Sequence, residues 1–240
     1  MSGKIGKNSL VLYKNQPAEV SELEGDKYII EYCSVPATST GKKAQYATQK
    51  VREKDIVLIE EKVSSIQRIL EFLNAESEQN KQLAEKLRSQ IKEAHELLLS
   101  DEETEDALIS FSDLKDLVDS SLEADKAWLL LSILEASLEF DLDSEGLKQG
   151  KINFTPRSLN QIEEIKKKSE EKEKAGALRE EFLIRLKQKK LILPDDAKFM
   201  VDVEALALGK SEKSKTLQDA KIAQTQENAH KILLETGIWD

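Results

Sequence analysis

Five basic side chains and one tyrosine form the first constellation with chemical potential. Lys42, Lys43, Lys50, Arg52 and Lys54 surround Tyr46 within a short, β-prone stretch. Cations beside an aromatic ring can hold a single-stranded nucleic acid, the ring by stacking on a base and the cations by contacting phosphates. The same residues also fit a solvated sheet face on which Tyr46 is half-buried, because nearby acids almost cancel the bases. A second, smaller pair, Lys148 and Lys151, sits at the tip of an expected hairpin. It can touch a phosphate or simply belong to a solvated turn. Lys187, Lys189 and Lys190 close a long helical stretch, where positive charge suits the helix C-terminus and RNA contact is the sharper alternative.

Other patterns fail on spacing. Asp141, Asp143, Glu145 and Gly146 resemble the start of a calcium loop, but the twelfth position, where a bidentate glutamate is needed, is Ile152. Gly209-Lys210-Ser211 resembles the end of a phosphate loop, yet the required earlier glycine is Glu204. His95 and His230 lie far apart and no histidine or cysteine pair has zinc spacing. His95 is expected at the surface or at the edge of a helix stripe. The residues therefore assemble no complete catalytic or metal-binding set, and no cofactor is expected in this chain.

The elements that must carry these residues follow from periodicity. Alternating runs over residues 8–60, among them SLVLY, AEVSEL, KYIIEY, AQYATQKV and KDIVLIE, give about five short strands. Residues 1–62 are expected to form a small SH3-like β-barrel. Beyond Ser64 the period becomes helical, with Ile66, Ile69, Leu70 and Leu73 on one stripe and Leu83, Leu87, Ile91, Ala94 and Leu98 on the next. An acidic loop, SDEETED, leads to Phe111–Phe154, whose order of helix, turn, apolar helix and hairpin is that of a winged helix. Residues 63–155 are thus expected to be helices plus a winged helix. The apolar helix over 122–139 exposes mainly acids, Glu123, Asp125, Glu135 and Glu139. In a DNA groove these would repel phosphates, which disfavours a transcriptional regulator. Thr155-Pro156 is expected to start a long helix, and residues 156–240 are read as that helix followed by a helical unit. The fold class is α+β, mainly α.

Bulk composition narrows the function. The net charge of −10 and pI of about 5.0 oppose autonomous, tight DNA binding, since phosphate neutralisation needs a basic excess. Cys33 is the single cysteine, so an internal disulfide is excluded. The N-terminus has no apolar leader and no run is long enough to span a bilayer, so a cytoplasmic location without membrane contact is expected.

The order of these parts resembles the N-terminal region of ribonuclease II family proteins of bacteria and plastids. The resemblance rests on SLVLYKNQPAEV, KYIIEY, VREKDIVLI, FSDLKDLVDSSLEADKAWLLLSILEASLEF with its wing, and ENAHKILLETGIWD. It covers most of the chain by order and pattern rather than by an invariant motif. It implies a catalytic domain following Trp239 that uses clustered aspartates and magnesium to hydrolyse RNA from the 3′ end. No such aspartate cluster stands in an apolar setting here, so the catalytic domain is expected to be absent, and magnesium is expected only in that domain. Ile238-Trp239, apolar at the chain end, is expected to mark a point where more once followed. The implied role is to hold single-stranded RNA or a partner near the active site, through Lys42, Lys43, Tyr46, Lys50, Arg52, Lys148 and Lys151. A winged-helix scaffold that binds another protein is the alternative.

Overall fold

The computed structural model describes residues 5–37, 42–75, 77–100 and 107–239. The tip of the loop before Lys42 and nearly all of the acidic loop, residues 101–106, lie outside the described residues. The chain divides into two compact units, 1–163 and 164–240.

In the first unit, five antiparallel strands form one sheet: β1 (Leu10–Tyr13), β2 (Gln16–Glu24), β3 (Lys27–Val35), β4 (Gln45–Arg52) and β5 (Val57–Glu60), in the order β4-β3-β2-β1-β5. Lys14 and Asn15 join β1 to β2 with φ of 47° and 62°. Two successive left-handed residues match the twist of a two-residue hairpin. Alternation along β1 serves two cores. Val11 and Tyr13 face a cluster with Ala18, Val20, Ile30, Val51 and Ile56, whereas Leu10 and Leu12 face the helices. The expected strands are present, but the expected barrel closure is not: among the described residues no ladder joins β4 to β5. A 3-10 turn, Glu53–Asp55, separates these edge strands, β5 has only four residues, and helices cover one face of the sheet.

Helices α1 (Ile66–Asn74) and α2 (Glu78–Leu99) follow. Ser65 caps α1, accepting from the Arg68 N–H at 3.3 Å. A buried carboxylate assists it: Glu19 of β2 accepts from the Ile66 N–H at 2.9 Å. Next come β6 (Ile109–Ser110), α3 (Phe111–Asp119), α4 (Ala127–Ala136), β7 (Phe140–Leu142), α5 (Ser144–Lys148) and β8 (Asn153–Pro156). The small sheet has the order β6-β8-β7. With α2 in front, this is the helix–strand–helix–helix–strand–strand succession of a winged helix. Ala127, Leu130, Leu131 and Leu134 of α4 are fully buried, in a cluster that also holds Leu10, Ile59, Ile91, Phe140 and Phe154. The apolar helix is therefore the packing hub of this unit.

Three local expectations are corrected. The wing is not a plain hairpin, because Asp143 accepts from the Glu145 N–H at 3.1 Å and starts the helical turn α5 between its arms. Thr155-Pro156 does not begin a helix; both residues belong to β8, paired with Asp141 and Phe140. The long helix α6 (Leu159–Lys187) begins three residues later, where Ser158 and Gln161 exchange backbone-to-side-chain hydrogen bonds of 2.9 and 3.3 Å. His95 is buried rather than superficial, with Nε2 2.7 Å from the Arg157 carbonyl and its ring edge-on to Phe140.

The second unit contains the later part of α6, a 3-10 turn (Ala197–Phe199), α7 (Val201–Ala207), α8 (Lys215–Asp219) and α9 (Gln226–Glu235). Its core gathers Phe182, Leu186, Met200, Val203, Leu206, Leu217 and Leu233. Thr225 caps α9 as its position predicts, accepting from the Asn228 N–H at 3.2 Å. Ile238 and Trp239 pack against this same core, and Trp239 Nε1 donates to Glu204 at 2.9 Å. The apolar pair thus has partners inside its own unit.

Candidate nucleic-acid interface

Strand β4 is an edge strand, and its unbroken pairing from Lys27↔Arg52 to Cys33↔Tyr46 fixes which side chains share a face. Tyr46, Lys50 and Arg52 stand at alternating positions and so lie on one face, while Gln49 and Val51 turn the other way. Gln49 accepts from the Tyr13 hydroxyl at 2.9 Å and Val51 is buried beneath it. Tyr46 is half-buried against the helical core, and this burial pushes its phenol pKa up. Lys50 pairs with Glu24 at 2.8 Å and Arg52 with Asp55 at 3.3 Å. The Arg52 backbone N–H, despite some opposing burial, holds the Asp55 carboxyl below its ordinary value. Lys42 and Lys43 are exposed just before the strand.

The wing residues lie between the strands β7 and β8 of the other sheet. Lys148 ends α5 and pairs with Glu145 at 2.7 Å, and Lys151 is exposed between α5 and β8. Sequence proximity thus translates into one strand face for Tyr46, Lys50 and Arg52, and into a separate place for Lys148 and Lys151. The 3-10 turn that leads into α4 adds no cationic face: Asp125 accepts from the Ser64 N–H at 2.6 Å and Lys126 pairs with Glu123 at 3.1 Å.

Reading for basic clusters leaves out the second unit's way of occupying its acids. Asp196, 1% exposed, receives a two-pronged contact from Arg185 at 2.9 and 2.7 Å and a further bond from the Ile192 N–H at 2.8 Å. The guanidinium holds its carboxyl below the usual range. Arg179 grips Asp219 at 3.3 and 2.9 Å. Asp202 accepts from the Ser214 hydroxyl at 2.9 Å and the Thr216 N–H at 2.8 Å; burial pushes its pKa up, but these bonds outweigh it and the net direction is down. Lys189 pairs with Glu235 at 2.8 Å. The one sequence signal for this arrangement is the evenness of the charges: residues 162–240 carry 16 Lys and Arg against 16 Asp and Glu, so the whole net charge of −10 resides in residues 1–161.

The described residues do not fit a magnesium centre. No group of three or more His, Cys, Asp or Glu side chains among them is placed to hold a metal ion, and the most enclosed carboxylates are committed to arginines, serines and backbone N–H groups. Among the described residues no helix is long and apolar enough to cross a membrane.

Comparison with known proteins singles out the second unit. Residues 162–240 match the HTH_RNase_II family, described as a double HTH domain. The match supports an association with ribonuclease II proteins and a nucleic-acid- or protein-binding role, and it leaves residues 1–161 outside it. No curated protein and no solved structure matches the chain.

Proposed function

We propose that this chain is a non-catalytic, RNA-holding region of a ribonuclease II-like 3′–5′ exoribonuclease. The observation that carries the proposal is the double HTH match over residues 162–240. The charge distribution supports it, because the matched segment is electrically balanced while the remainder holds the acidic excess. In this reading single-stranded RNA is the ligand, the protein works in the cytoplasm, and magnesium serves a nuclease domain separate from this chain. The three functional parts are the β unit of residues 1–62, taken as a relative of SH3-like barrels from its strand order, the winged helix within 63–155, and the helical part of 156–240. Lys42, Lys43, Tyr46, Lys50, Arg52, Lys148 and Lys151 are supporting contacts. Lys50, Arg52 and Lys148 would exchange their present carboxylate partners for phosphates. The test is titration of labelled single-stranded RNA with the full chain at low salt. Binding that weakens as salt rises is expected, since bound phosphates release condensed counterions.

One further observation favours a protein partner as the second reading. Val201 and Leu208 of the α7 region are 62% and 56% exposed, an apolar face unlike a phosphate-binding one. Under that reading RNA is not bound even at low salt.

A further inference from the structure

The second unit closes four successive helical segments in the same way. At the end of α6, the Lys189 N–H reaches the Leu186 carbonyl at 3.0 Å and the Lys190 N–H reaches Arg185 at 2.9 Å. After α7, Gly209 reaches Leu206 at 3.0 Å and Lys210 reaches Ala205 at 2.8 Å. After α8, Lys221 reaches Gln218 and Ile222 reaches Leu217, both at 2.9 Å. After α9, Gly237 reaches Leu234 at 3.2 Å and Ile238 reaches Leu233 at 3.0 Å. Each is a Schellman closure with a left-handed residue at its corner. The corners are Lys189, Gly209, Lys221 and Gly237, with φ of 57°, 67°, 60° and 72°. Lysine, glycine, lysine, glycine is a period of two helices. It divides the double HTH into α6–α7 and α8–α9, with a lysine after the first helix of each pair and a glycine after the second.

Glycine is the default at such a corner because it lacks the Cβ that crowds the left-handed conformation. The unit uses glycine at two corners and places a lysine at the two equivalent turns. The surrounding charges favour an external anion. Residues 187–240 contain nine lysines and nine acids. Five of those acids, Asp196, Asp202, Glu204, Asp219 and Glu235, are engaged by arginine, serine, threonine, tryptophan or lysine partners within the unit. Lys189 is the one lysine of the nine that is ion-paired among the described residues, and Lys221 is exposed without such a pair.

We propose that Lys189 and Lys221 are equivalent contacts for the phosphodiester backbone of RNA, one at the turn of each helix–turn–helix. The proposal rests on the RNA reading given above and adds the residues and the two-fold register of the contact. Glycine relieves both corners, and this relief offsets the loss of the exposed Lys189–Glu235 pair. The K189G/K221G chain is therefore expected to melt no lower than the parent. Should it melt lower, K189N/K221N supplies the next residue type that tolerates this conformation. Binding of a labelled single-stranded RNA by the full chain is measured across a salt series. The proposal expects weaker binding and a log–log salt slope shallower by about 1.4, two contacts at about 0.7 each. K14G/K62G removes the same charge and relieves the same conformation in the first unit, at φ of 47° and 55°, and is expected to leave the slope unchanged. Equal loss in both double variants overturns the proposal, since net charge alone would explain it. A parent that binds while K189G/K221G keeps the full slope also overturns it and leaves the RNA reading standing. A parent that binds no RNA overturns both.

Discussion

Asp119 and Asp196 show how single carboxylates hold this protein. Asp119 lies at the turn between α3 and α4, accepting from Lys86 at 2.8 Å and from the Ser121 hydroxyl and N–H at 2.6 and 3.0 Å. The lysine, with the serine, lowers its pKa to about 2. A carboxylate depressed in the folded state stabilises above its unfolded value of 3.8, and that contribution is lost as pH falls toward 2. Because Lys86 is largely exposed, solvent screening limits the contribution to about 1 kcal/mol. Acid unfolding followed by circular dichroism is expected to show D119N less stable than the parent at pH 6 and converging with it near pH 2. Asp196 is a stricter case, since its carboxylate is closed to water while Arg185 is partly exposed. D196N leaves Arg185 facing a neutral amide, and urea unfolding is expected to show D196N less stable than the parent, by less than a fully buried pair would cost because Arg185 can regain water. Neither role could be read from sequence. Asp195-Asp196 open a stretch with a helical pattern, and Arg185 lies beside the basic end formed by Lys187, Lys189 and Lys190. Only the fold of Leu191–Pro194 back on itself brings the two together.

At the scale of elements, periodicity was informative wherever one contiguous segment decided the outcome. The five strands, the stripes of α1 and α2, the burial of α4 and the Thr225 cap of α9 all follow from local pattern. What local pattern missed depends on distant partners. The wing became a helical turn because Asp143 caps it and Gly146 leaves room, since a Cβ there would strike the Asp143 carboxylate. Thr155-Pro156 became a strand because β7 and Ile109 pair with its segment. The sheet stayed open because helices, not its own edge strands, cover one face. Glu19 links those two layers by capping α1 from β2. Burial raises its pKa, partly offset by the Ile66 N–H. A raised carboxyl pKa means the folded form holds its proton longer, so its contribution is greatest below the ordinary value of 4.5 and is lost as pH rises through the folded pKa. E19Q keeps the acceptor and removes the charge. Its stability relative to the parent is expected to improve as pH rises from 4 to 7, and a constant difference in urea unfolding would rule out this role.

Across the whole molecule, charge separates where periodicity does not. Residues 1–161 carry the full acidic excess and residues 162–240 are balanced. The basic clusters of the sequence lie on the β4 face and the wing, where Lys50, Arg52 and Lys148 already have carboxylate partners. The family match instead falls on the helical segment in which Asp196, Asp202, Glu204, Asp219 and Glu235 are internally engaged. That segment was legible as helices from its caps and glycines. Its surplus of exposed lysine was not, because formal counting treats a buried, arginine-bound aspartate and a solvated one alike. The central claim is that the chain holds RNA through phosphates. Its most direct test is fluorescence anisotropy of a labelled single-stranded RNA with the full chain from about 20 to 300 mM salt, a range over which phosphate-driven binding changes steeply. The account predicts binding at the low end and a linear fall of log affinity with log salt. Absence of binding at the lowest salt, or affinity indifferent to salt, would contradict it.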